Sequence, residues 1–171
     1  MSDIYKMPPV LFPENPTLEN IIEGWKGADF GMFFKNTAFI TLLATIGTVL
    51  SSSIVAYGFS RFKSRLSSFL FVVLLGTMML PTQVTLIPQY LLYHKLNMID
   101  TFWPLIIPSW LGGGAFNIFL FIQFFRTLPK ELDEAAKIDG ANSWQVFSRI
   151  LLPSVKPVML AVLVMALVYN W

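Results

Sequence analysis

The sequence predicts an all-α fold, a polytopic transmembrane helical bundle with three full spans and a truncated fourth. Three observations carry that expectation. The composition is 55% apolar and only 13% charged, with a mean hydropathy of +0.63, which does not describe a water-soluble domain. Residues 36–60, 66–93 and 102–125 contain no Asp, Glu, Lys or Arg, and each run exceeds the roughly 20 helical residues that cross a bilayer. The basic residues divide by connector: Arg61, Lys63, Arg65, Arg126, Lys130, Lys137, Arg149 and Lys156 fall on one side of these runs, and Lys6, Lys26, Lys35 and Lys95 on the other. The richer side is cytoplasmic by the positive-inside bias.

The same inventory excludes several classes of function. A formal charge of +2 gives no reason to expect nucleic acid as a partner. The absence of cysteine removes disulfides, thiolate metal sites and cysteine catalysis. Asp3, Pro8 and Pro9 stand where a secretion signal would need a basic start and an apolar run.

Taken in order, residues 1–35 are rich in Pro, Asn and Glu, with one amphipathic stretch at 18–25, and read as an extracytoplasmic or interfacial segment. The first span, 36–60, carries Thr41, Thr45, Thr48, Ser51, Ser52 and Ser53 with Gly47 and Gly58, residues small enough for close helix contacts in lipid. The second, 66–93, is interrupted at Pro81 and Pro88, so a bend is expected near Pro81. Thr82 and Gln83 then either line a translocation path or repair the kink. His94, the single histidine, lies in an interfacial stretch, 91–99, as a solvated tip without metal partners. Asp100 or Thr101 is a candidate cap for the third span, 102–125, which Pro104, Pro108, Gly112, Gly113 and Gly114 weaken. Those glycines are not a nucleotide loop, because no Gly-Lys-Ser/Thr follows. Asn117 and Gln123 are further polar positions near a solute path. A fourth apolar run, 157–171, has only fifteen residues, too few to span.

Between the third and fourth runs, residues 126–156 form a cytoplasmic loop of a different character. Pro129 suits a first helical turn, Glu131, Asp133 and Glu134 place negative charge near its start, and Gly140 can adopt the left-handed conformation that ends a helix. Asn142 with Gln145 three residues on is a capping pair for a second helix. Trp144, Phe147, Ile150 and Leu151 make its apolar stripe, and Pro153 should end it. Two short helices therefore meet at a glycine elbow.

Glu134-Ala135-Ala136, Asp139-Gly140-Ala141, Phe147, Ile150 and Leu152-Pro153 resemble the signature loop of ABC importer permeases, and within them the carbohydrate type, similar to the second membrane subunit of maltose and glycerol-phosphate importers. The resemblance implies a type I importer permease fold in a bacterial inner membrane, with this loop as the coupling helix. It further implies an ATP-binding cassette dimer as partner, which would bind the ATP while this chain carries no cofactor, metal or catalytic site. A second permease subunit and an extracytoplasmic solute-binding protein complete the implied assembly. Glu134, Ala135, Ala136, Asp139 and Gly140 would dock the ATPase, with Phe147, Ile150 and Pro153 supporting the loop. Such permeases typically place this loop between a fourth and a fifth span, so one span is expected to be missing upstream and the chain to be a fragment. A permease for amino acids, peptides or an anion is the near alternative. A passive channel or intramembrane enzyme is the distant one, disfavoured because the spans hold no paired titratable groups.

Overall fold

The computed structural model describes residues 18–62 and 64–171, apart from the side chain of Asn20. Residues 1–17 of the predicted N-terminal segment, with Lys6, and Lys63 of the basic connector lie outside the described residues. Every regular element among the described residues is helical. By backbone contacts the chain divides into two compact units, residues 1–37 and 38–171.

In the first unit, α1 (Glu19–Gly27) carries Glu19 in its first turn and Lys26 in its last, each charge complementing the nearby end of the helix dipole. Asp29 turns the chain at φ 48°, and Trp25 packs its ring 4.6 Å from that of Phe30.

Helix α2 (Phe30–Arg61) runs for 32 residues, starting six residues before the predicted span. Its pattern inverts that of a soluble helix. The buried stripe is small and hydroxyl-bearing, with Thr41, Ala44, Thr48, Ser52 and Ala56, while Phe39, Leu42, Ile46, Leu50 and Ile54 are exposed. In lipid the outward face gains nothing by leaving its surroundings, so close contact through small residues decides which face turns inward. The buried hydroxyls find different partners: Ser53 Oγ donates to the Leu50 carbonyl at 2.9 Å and Ser60 Oγ to that of Tyr57 at 3.0 Å, Thr41 Oγ1 donates across to the Asn170 carbonyl at 2.9 Å, and Thr45 Oγ1 has no partner among the described residues.

The second predicted span is two helices, α3 (Arg65–Thr77) and α4 (Thr82–Lys95), bent by 103°. Pro81, extended at φ −65°, ψ 137°, supplies no N–H to carry a helix through. The break falls where the sequence predicts it, and it is a sharp corner. Ser64 caps α3, its Oγ accepting from the Ser67 N–H at 3.0 Å. The third predicted span is likewise divided, into α5 (Trp103–Trp110) and α6 (Ala115–Thr127), with Gly112, Gly113 and Gly114 between them at φ of 114°, 66° and 91°. Neither Asp100 nor Thr101 caps it. Phe102 holds the cap position without a side-chain bond, and Thr101 Oγ1 donates back to the Met98 carbonyl at 2.7 Å.

The α5–α6 break seats directly on α2. A Cβ on Gly113 would stand 2.5 Å from the Thr48 carbonyl oxygen, and one on Gly47 would stand 2.5 Å from the Trp110 indole. Ser51 Oγ donates to the Ser109 carbonyl at 2.8 Å, and Asn117 Nδ2 donates to that of Gly113 at 2.6 Å, so carbonyls freed by the break find partners.

The loop comprises α7 (Glu131–Ile138) and α8 (Ser143–Ser154), the latter α-helical at both ends and π-helical over Val146–Leu151. Helix α9 (Lys156–Asn170) follows after an 80° bend. Two expectations are corrected here. Pro129 precedes α7, whose cap is Lys130; it holds Leu128 extended at ψ 131°, the geometry favoured before proline. Pro153 does not stop α8, which reaches Ser154 and breaks at Val155, φ −105°. The widened π turn has already displaced the regular bonding that the proline would interrupt. A single buried core runs from the loop into the bundle, through Val146, Phe147 and Leu151 on α8, Phe121, Ile122 and Phe125 on α6, and Val158 and Val162 on α9.

Candidate functional site

The candidate site is the loop of α7 and α8, and its geometry begins at Gly140. That residue sits at φ 84° with nothing within 4 Å of where a Cβ would be, so it is glycine for its backbone and faces open space. Its N–H donates to the Lys137 carbonyl at 3.0 Å, and the Ala141 N–H reaches back to that of Ala136 at 2.9 Å, closing the end of α7. Two residues on, Asn142 Oδ1 accepts from the Gln145 N–H at 2.9 Å and Gln145 Oε1 accepts from the Asn142 N–H at 2.8 Å. The elbow is thus fixed on both sides by bonds internal to the loop.

Three anchors fix the elbow to the bundle. Phe147, 3% exposed, lies 5.2 Å ring to ring from Tyr57 of α2 and 6.4 Å from Phe125 of α6. The Tyr57 hydroxyl donates to the Ser143 carbonyl at 3.1 Å. Arg61, at the end of α2, places Nε 2.7 Å from Oδ2 of Asp133 on α7, with side chains only 7% and 12% exposed. The guanidinium also donates through Nη2 to the Leu128 carbonyl at 3.4 Å. The Nε–H is poorly aimed despite its short distance, and Asp133 Oδ1 has no hydrogen-bond partner among the described residues. The pair therefore acts mainly as charge compensation at short range, the condition under which removing either partner is costly.

The outward surface of the loop carries Glu134, Ala135, Asp139 and Gly140, all exposed, with Ile138 at 87% exposure. A notch of about 210 Å³ opens at the elbow between Asp139, Gly140, Gln145 and Arg149. Two assignments change. Ala136, expected on the docking face, is buried in the chain's own core, because adjacent helix positions point about 100° apart. Trp144, expected in the apolar stripe, is 60% exposed, its ring touching Phe147 only from outside at 5.3 Å. Val146 takes its place inside.

A second candidate region is a cavity of about 450 Å³ bounded by α2, the α5–α6 break and α9, with Thr48, Asn117, Tyr169 and Asn170 in its wall. Of the polar positions expected near a solute path, only Asn117 lines it. Thr82 and Gln83 are exposed at the start of α4, where the Thr82 backbone carbonyl accepts from the Thr85 hydroxyl at 2.9 Å, and neither borders this cavity.

Residues 47–171 match the family model described as binding-protein-dependent transport system inner membrane component. The chain belongs to that family. Among the relatives of this permease, the probable ABC transporter permease protein YurM of Bacillus subtilis (strain 168) is 35% identical over 90% of this chain and 51% of its own length. The sn-glycerol-3-phosphate transport system permease protein UgpE of Yersinia enterocolitica is 34% identical over 99% and 62% respectively, and the lactose transport system permease protein LacG of Rhizobium radiobacter is 33% identical over 90% and 55%. A solved structure of a bacterial ABC transporter involved in the import of the acidic polysaccharide alginate superposes with a TM-score of 0.72, at 25% identity, covering 80% of this chain and 48% of that one. The permease sequence thus spans about half to three fifths of the length of the curated relatives it matches. An inner-membrane location follows from the family description and agrees with two helical segments long and apolar enough to cross a bilayer, Phe30–Arg61 and Trp103–Thr127.

Proposed function

We propose that this chain is part of the transmembrane subunit of an ATP-driven importer for a sugar or sugar derivative, and that its loop is the seat of an ATP-hydrolysing partner. The observation that carries the reading is the construction of the loop. Its inner face is fused to α2 and α6 by Phe147, Tyr57 and the Arg61–Asp133 pair, while its outer face offers Glu134, Ala135, Ile138 and the Gly140 notch to solvent. A push on that outer face is transmitted to α2 without slack. A cassette dimer would grip this loop and its counterpart on a second permease subunit, and nucleotide-driven closure would rock the spans between inward and outward openings. An extracytoplasmic binding protein would deliver the solute. The chain then converts motion and performs no bond chemistry of its own.

The Asn117 cavity is the stretch of solute path we assign within this chain. The uncharged spans favour a neutral solute, and the lactose relative supports a sugar. The glycerol-phosphate and alginate relatives keep a charged sugar derivative within the same reading. A channel or intramembrane enzyme would work alone, whereas this permease should bring an ATPase subunit with it on purification.

The test is coupling in Gly140→Ala and Gly140→Trp. Both impose the same left-handed strain, about 1–2 kcal/mol, but only the indole fills the space outside the elbow. Uptake and solute-stimulated ATPase activity should be reduced modestly by alanine and abolished by tryptophan. Wild-type coupling in the tryptophan variant would overturn the docking role.

A further inference from the structure

A cavity of about 690 Å³ opens where the end of α2, the start of α3 and the end of α6 meet, beside the Arg61 anchor and apart from the elbow notch and the Asn117 cavity. Its rim carries Arg126 and Lys130 with the hydroxyls of Ser67 and Ser68, and its wall carries Phe71 and Val72. We propose that this cavity holds the headgroup of an anionic phospholipid of the cytoplasmic leaflet. The proposal rests on the membrane placement of the helices and is independent of the transport reading.

Charge is the first argument. Arg61 also borders the cavity, but its charge is taken up by Asp133. Arg126 and Lys130 have no carboxylate within ion-pair distance among the described residues, and the first turn of α3 contains no acidic residue. Two cations without an ion-pair partner among the described residues therefore border one space. Preorganisation is the second. The Arg126 guanidinium lies over the Phe71 ring, 5.1 Å from its centroid, an arrangement that holds the plane in place and leaves its in-plane N–H groups free for phosphate oxygens. Layering is the third. Arg126 ends the apolar run of α6, which places it at the level of the headgroups, while Phe71 and Val72 lie a turn or more inside α3 from its capped start. Cations at the rim above an apolar wall match a molecule with a phosphate head and acyl chains. A free phosphate would use the rim and ignore the wall.

The experiment uses the complete permease, purified with the subunits that accompany it, in discs of phosphatidylcholine containing about a fifth phosphatidylglycerol. Native mass spectrometry counts retained phosphatidylglycerol per permease. Wild type and Lys95→Gln, a cation outside the cavity, should retain one tightly held molecule, and Arg126→Gln/Lys130→Gln should weaken retention about tenfold or more. Ser68→Asp, which adds a negative charge at an exposed rim position, should do the same and keeps the test decisive if the double variant does not fold. Melting in pure phosphatidylcholine reports folding of each variant. Equal retention by all proteins, or none by wild type, would overturn the proposal. Displacement of the lipid by millimolar inorganic phosphate would reassign the cavity to a free anion and overturn it equally.

Discussion

The loop end of the molecule and the α3–α4 pair are built from similarly apolar sequence and reach opposite outcomes. Around α6, α8 and α9, Phe121, Phe125, Val146, Leu151 and Val162 are wholly buried. Neither α3 nor α4 contains a single buried residue; Leu66, Phe69, Val72, Leu86 and Ile87 are all exposed. Hydrophobicity alone therefore does not say which helices pack in a membrane protein, since lipid serves an apolar side chain as well as a neighbour does. What separates the two regions is specific geometry: small-residue contact, aromatic interlock and one ion pair.

Substitutions can break that contrast. The largest effect should come from Phe147→Ala, about 3–5 kcal/mol, read as a lowered melting temperature of the detergent-solubilised protein. Asp133→Ala should approach it, about 3–5 kcal/mol, because Arg61 is left charged and shielded from water, whereas the double change Arg61→Met/Asp133→Leu should recover most of the loss. If single and double variants melt alike, the ion pair is not the fastening we describe. Gly113→Ala follows at about 2–3 kcal/mol, since its Cβ meets the Thr48 carbonyl and its backbone is left-handed. Asn142→Ala, which removes one half of the reciprocal cap, should lose about 1 kcal/mol. The smallest effect belongs to the other region: Ile87→Ala on α4 should stay within about 0.5 kcal/mol, and a loss rivalling that of Phe147→Ala would show that α4 is packed after all.

The elements most legible in the sequence are those whose signals are local. The Asn142–Gln145 cap, the left-handed Gly140, the corner at Pro81 and the broken run at Gly112 to Gly114 each depend on a few neighbouring residues, and each stands where the chain predicts it. Pairings between distant residues were not legible. Arg61 reads as one member of a basic connector and Asp133 as a first-turn acid, and only the fold sets them 2.7 Å apart. Tyr57 gave no sign of its bond to Ser143 for the same reason. Trp144 and Ala136 depart from expectation for different reasons: the stripe that includes Trp144 assumes a regular helical period, whereas the segment turns π-helical at Val146, and the resemblance that implies a docking role for Ala136 does not fix which face of the short α7 turns inward. The exposed Ile138 carried a usable signal, an aliphatic residue between Lys137 and Asp139 in an otherwise polar stretch.

The seat of the α5–α6 break on α2 is defined by two missing side chains, at Gly47 and Gly113, on opposite sides of one contact. Each position without a Cβ lets one backbone approach the other segment more closely than a side chain would allow, and the Ser51–Ser109 hydrogen bond pins the same contact at 2.8 Å. The two glycines thus act as the spacer of the joint, a spacer of zero thickness. Enlarging either one would wedge the segments apart and strain that bond.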